Sequence, residues 1–191
     1  MTILRKPGRS AMLLLTAAVS LSSCAKDAGL DRHLTRLGLR VSGIEGFMVK
    51  DSGEGHLVAE RDHEVIRVKT VDGLDGPGAE TYIKEQSAML LGVFDPRLPP
   101  YPEFMTRASG CPDKYKPVSK DGPLGPYYLL YAGKRLTYGG CSEDLIEYRA
   151  SIGFFYLPKE KRVIRLEYFI PKDREIDALI SLNDSVTPST R

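Results

Sequence analysis

Apolar and polar positions alternate most regularly in the last third of the chain. Ile146, Tyr148, Ala150, Ile152, Phe154 and Tyr156 occupy every second position, with Glu147, Arg149, Ser151 and Gly153 between them. A charged turn follows at Pro158-Lys159-Glu160-Lys161, and then Ile164, Leu166, Tyr168 and Ile170 alternate with Arg165 and Glu167. A period of two predicts an antiparallel hairpin with one buried face. Phe155, Val163 and Phe169 add apolar surface to the opposite face, so a helix is expected to cover it in part. Beyond the hairpin, Asp173 is placed to cap a closing helix with Ile176, Leu179 and Ile180 as its inward stripe. Residues 185–191 read as a disordered tail.

The same pattern organises the first half. Strands are expected near residues 38–42 and 46–50, before turn chemistry at Asp51-Ser52-Gly53-Glu54-Gly55. Residues 56–61 and 64–70 are rich in Val, Ile and Leu and read as a hairpin about Asp62-His63. After the glycines of residues 72–78, Ala79, Tyr82, Ile83, Gln86, Met89 and Leu90 recur at three- and four-residue spacing and predict a helix. Glu80 suits its first turn, and Gly92 its stop. Residues 95–126 hold Pro96, Pro99, Pro100, Pro102, Pro112, Pro117, Pro123 and Pro126, which argue against regular structure. This long loop has two readings. Either it lies over the core, pinned by Cys111, or Tyr101, Phe104, Tyr115 and Tyr127 in and beside it form a partner surface. Strands, helix, loop, strands and helix in that order predict an α+β fold, a mostly antiparallel sheet packed with two or more helices.

The N-terminus follows a different rule. Arg5, Lys6 and Arg9 precede the apolar run from Ala11 to Val19, and Leu21-Ser22-Ser23-Cys24 ends it. Positive, apolar and small residues in that order are a secretory signal. The run is far shorter than the ~20 residues that span a bilayer. Small residues directly before a cysteine make the segment resemble the bacterial lipoprotein signal and its lipobox. That resemblance implies cleavage before Cys24, acyl chains on Cys24, and a membrane-anchored place in the cell envelope. Ala25, where the family's inner-membrane retention signal has aspartate, favours the outer membrane. The expected organisation is a cleaved signal at 1–23, a lipidated tether at 24–37, one domain at 38–184 and the tail.

Cleavage also changes the charge. The whole chain carries a formal +2, but residues 1–23 hold three cations and no acids, which leaves 24 basic against 25 acidic side chains. Nothing in that balance selects nucleic acid or an anionic surface as a partner. With Cys24 acylated, Cys111 and Cys141 remain in an oxidising compartment and are expected to form a disulfide that staples the domain.

No catalytic, metal or cofactor motif is found. His63-Glu64 lacks the second histidine of a zinc-protease helix, and Asp72, Asp75 and Glu80 lack the spacing of a calcium loop. A hydrolase would need Ser or Asp to converge with His56 or His63. The end of the chain is similar to the PsbP-like sandwich: a late hairpin at 145–170 leads into a short helix ending near Ser181 or Ser185. That likeness implies an α+β sandwich and no particular function. The functional expectation is a non-catalytic docking or assembly module for an envelope complex. The alternative is an anchored carrier or sensor that holds a small or lipidic ligand between sheet and helices.

Overall fold

A computed structural model describes residues 21–90, 117–132 and 147–189. Its centre is the expected C-terminal hairpin, β7 (Tyr148–Leu157) and β8 (Arg162–Pro171). To one side lie β4 (Glu64–Asp72), β3 (His56–Arg61) and β2 (Met48–Ser52). To the other lie β6 (Gly125–Ala132) and β5 (Val118–Gly122). The seven strands run in the order β2-β3-β4-β8-β7-β6-β5, each antiparallel to its neighbour. A second, two-stranded sheet pairs β1 (Leu39–Arg40) with β9 (Thr187–Pro188). The fold is α+β with mostly antiparallel sheet.

Helices cover both faces of the large sheet. α1 (Leu21–Leu37) and α3 (Asp177–Asp184) share a core with one face. Leu30, Leu34, Leu37, Leu179 and Leu182 pack there with Leu57, Ile66, Val68, Leu166 and Tyr168. α2 (Gly76–Leu90) covers the opposite face, where Ile83 and Leu90 meet Ala150, Ile152, Phe154 and Phe169. Asp75 caps α2: its Oδ1 accepts the Gly78 N–H at 2.8 Å. In the β3–β4 turn Asp62 and His63 both have positive φ, the two-residue hairpin geometry whose twist matches the flanking strands.

Five expectations are corrected. The two apolar stripes of the β7–β8 hairpin lie on opposite faces of the sheet. Leu157 pairs with Arg162 across the four-residue turn, so Ile152 stands beside Glu167 and Phe155 beside Ile164. Alternation assigns a stripe within each strand, but the turn sets which stripes share a face. Residues 24–37 are no tether along their length: they belong to α1, and Leu30, Leu34 and Leu37 are core residues at helical spacing. The end of the proline-rich stretch is a hairpin. Pro123 occupies its turn, and Pro126 is the second residue of β6, opposite Asp121 and ahead of the pairing with β7, where a missing N–H is tolerated. The tail is docked as far as Ser189: Val186 is fully buried, Thr187 and Pro188 pair with β1, and the Ser189 N–H donates to the Gly38 carbonyl. Asp173 does not cap α3, whose N-cap is Ile176 with no side-chain bond. Its buried stripe is Leu179, Leu182 and Asn183, and Ile176 faces solvent.

Candidate functional site

α2 does not seal the sheet on its β6–β7 side. Ala79, Ile83, Ser87 and Ala88 form one wall of a groove, and Pro126, Tyr128 and Tyr156 form the other. Its volume is about 610 Å³, within the roughly 300–1,000 Å³ typical of small-molecule sites. The floor is rigid: Tyr128 meets Phe154 edge to face at 6.4 Å, and the Tyr156 hydroxyl donates to the Leu74 carbonyl at 3.2 Å. Glu80 and Lys84 are exposed on the groove's rim. On the opposite flank of α2, Gln86 accepts a hydrogen bond from Arg165, whose guanidinium also lies 2.6 Å from the Glu167 carboxylate. That polar contact ties the helix to β8 and leaves the apolar opening on one side.

A second cluster is structural. Glu64, 3% exposed, accepts hydrogen bonds from Arg61 at 2.7 Å, the Tyr168 hydroxyl at 2.7 Å and Arg174 at 3.0 Å. Arg61 also donates to the Glu45 carbonyl and lies over the Phe47 ring. Burial alone would raise the Glu64 carboxyl; bonds from Arg61 and Tyr168, with the charges of Arg61 and Arg174, outweigh it and hold the group below its usual range. The Tyr168 phenol is pushed up by burial and by the Glu64 carboxylate. Arg61, Tyr168 and Arg174 each give a donor to Glu64, so the cluster acts as a clasp joining β4, β8 and the loop before β2.

A smaller cavity of about 540 Å³ opens where α1 ends, lined by Arg36, Glu54, Glu160, Arg162 and Ser189. Its charges balance, and Arg162 is bound to Asp72 and the Leu37 carbonyl.

No family model and no curated protein matches the chain. A crystal structure from Bacteroides thetaiotaomicron VPI-5482 is similar in part, at 10% identity and a TM-score of 0.41. The match covers 80% of this chain and 46% of that one, so the chain spans under half the length of that neighbour.

The residues singled out in the sequence are distributed as follows. Cys24 lies on α1, six residues ahead of Leu30. Cys111, Cys141, Tyr101, Phe104 and Tyr115 lie outside the described residues. Tyr127 is no partner surface: it is 2% exposed in the core opposite Gly153, and burial, with Asp184 beside it, raises its phenol. Tyr127 points inward because Tyr128, next along β6, takes the α2 face. His56 pairs with Asp51 at 3.2 Å on the exposed β2–β3 hairpin, and His63 stands at a turn tip. Asp72 holds Arg162, and Asp75 caps α2. Among the described residues no three metal-ligating side chains gather. A ligand held between sheet and helices is the alternative expectation from the sequence; which residues wall the groove is not legible there.

Proposed function

We propose that the protein is an envelope lipoprotein, anchored through acyl chains on Cys24, whose domain binds an apolar small molecule in the groove between α2 and strands β6 and β7. The observation that carries this reading is the groove: about 610 Å³, walled by Ala79, Ile83, Tyr128 and Tyr156. Apolar walls with a few polar groups at the edge are the general form of a small-molecule site. The lipobox-like Leu21-Ser22-Ser23-Cys24 motivates the anchor, and Ala25 favours the outer membrane. The activity is carriage or sensing, without catalysis. Docking onto an envelope complex is the second reading; Tyr101, Phe104 and Tyr115 motivate it, and Tyr127 no longer does.

The groove is tested by isolating the protein from membranes in mild detergent and identifying retained small molecules by mass spectrometry. Wild-type protein is expected to retain an apolar compound that Ile83→Trp, which fills the groove, releases. A wild type that retains nothing, yet crosslinks to one protein partner, would transfer the function to docking.

A Cys111–Cys141 disulfide belongs to the same proposal. Val118 pairs with Leu129 and Ala132 with Tyr148, so β5 begins at the end of the sheet where β6 ends and β7 begins. Cys111 precedes Val118 by seven residues, and Cys141 precedes Tyr148 by seven. Each cysteine therefore stands seven residues ahead of a strand, and the two strands begin at the same end of the sheet. Closing a loop of about 30 residues stabilises a fold by roughly 3–4 kcal/mol. Intact mass is expected to rise by about two protons on reduction, which opens one S–S bond into two thiols. Two alkylatable thiols in the unreduced protein would refute the bridge.

A further inference from the structure

Ser87, Tyr128 and Tyr156 bring hydroxyls to the groove between α2 and strands β6 and β7, and the three differ in what they can offer a ligand. The Ser87 hydroxyl is shut off from solvent, so it is turned away from the opening. The Tyr156 hydroxyl is committed to the Leu74 carbonyl at 3.2 Å. Tyr128 is 6% exposed, yet its hydroxyl is not shut off, and it has no hydrogen-bond partner among the described residues. A tyrosine buried this far usually finds a partner for its O–H, so an unbonded phenol on a groove wall demands an explanation. Its position is fixed, because Tyr128 pairs with Ile152 in the sheet and its ring rests edge to face on Phe154. Glu80 and Lys84 stand one helical turn apart on the rim, both exposed and of opposite charge. Every other residue along the groove is uncharged.

We infer that the ligand is an uncharged molecule with an apolar body and one carbonyl oxygen, as in a ketone or an ester, and that the Tyr128 hydroxyl holds that oxygen. The inference rests on the groove reading above and deepens it. The phenol O–H donates to the carbonyl, and the apolar body lies against Ala79, Ile83, Ala88 and Pro126. A charged group drawn into these walls would lose its hydration with no counter-charge to replace it. The rim favours neither sign, since Glu80 repels an anion and Lys84 a cation. A hydrocarbon would fill the walls but strip water from the Tyr128 hydroxyl and leave it unbonded.

Photolabelling of membrane vesicles that contain the full-length protein tests this. The probes are diazirine-bearing methyl palmitate, the matching ionised palmitate, and the matching alkane, which has no oxygen. Labelling is read on the tryptic peptides covering residues 70–84 and 121–134, which separates groove labelling from acylation of Cys24. The ester and the alkane are expected to label wild type, and palmitate to label it more weakly than the ester. Tyr128→Phe should cut ester labelling about fivefold, the loss of roughly one neutral hydrogen bond, without lowering alkane labelling. Undiminished alkane labelling shows that the groove of the variant is still formed. Equal ester labelling of wild type and Tyr128→Phe, or an equal loss of both probes, would overturn the role of the phenol while the groove reading stands. Palmitate labelling at or above that of the ester would overturn the uncharged ligand. If no probe labels wild type above an Ile83→Trp control, the groove reading falls, and this inference with it.

Discussion

Glu64 shows how one residue can join distant parts of the chain. It follows a tight turn, yet its carboxylate is buried and receives donors from Arg61, Tyr168 and Arg174. Removing one member of a buried charge cluster leaves the others uncompensated, so Glu64→Gln is expected to cost about 2–3 kcal/mol at pH 7. Urea unfolding measures it directly. The pH dependence has a definite sign. The folded-state carboxyl lies below its ordinary value of 4.5, so its stabilisation is complete above that value. It is lost as pH falls from about 4.5 through the lower folded-state value, and the gap between wild type and Glu64→Gln should close there. A gap that stays constant through that acid range would show that Glu64 acts through packing and not through charge. This role was not legible in the chain: Glu64 reads as a charged turn residue, and its partners Tyr168 and Arg174 lie more than 100 positions away.

Among the elements, the C-terminal segment offers the sharpest test. Val186 is fully buried, β9 pairs with β1, and the Ser185 hydroxyl donates to the Leu182 carbonyl and accepts the Ser42 N–H. Deleting residues 186–191 exposes the site of a buried valine and unpairs β1. A loss of about 2–3 kcal/mol is expected, lowering the melting temperature by roughly 5–10 °C in a thermal scan. A shift under about 1 °C would mean that the strand pair contributes nothing. The segment was misread because six polar or small residues surround one valine, and two-residue strands carry no periodicity. The β3–β4 hairpin was legible to within two residues, because alternation and a two-residue polar turn agree. α2 was legible from its apolar spacing. α1 was missed although Leu30, Leu34 and Leu37 keep helical spacing, since Asp31, Arg32, His33 and Arg36 between them suggested a solvated linker. Apolar residues on both faces of the β7–β8 hairpin pointed to a ligand between sheet and helices, but the walls of the groove were not legible. They depend on how α2 lies across strands about 40 and 70 residues away.

At the scale of the whole molecule, α1 joins the proposed anchor to the core without an intervening linker. Cys24 and Leu30 belong to one helix, and at 1.5 Å per residue about 9 Å of helix axis separates them. Acyl chains on Cys24 would therefore hold the domain against the bilayer in a narrow range of orientations, where a flexible tether would let it tumble. Two or three chains are needed for stable attachment, since one gives only marginal binding. No helix of the described residues is long and apolar enough to cross a membrane. Attachment is proposed on the Cys24 thioether and the new N-terminus, and the first described core residue is Leu30. Anchoring and folding should thus separate. Cys24→Ala is expected to abolish incorporation of an alkyne-bearing palmitate and to release the chain from washed membranes or leave it with its signal uncleaved. The melting temperature of the released domain should match wild type to within about 1 °C, because no described core contact is lost. Labelling and retention that survive the substitution would refute the anchor. A large drop in melting temperature would instead make Cys24 part of the fold, and the helix that carries it a structural element rather than a mooring.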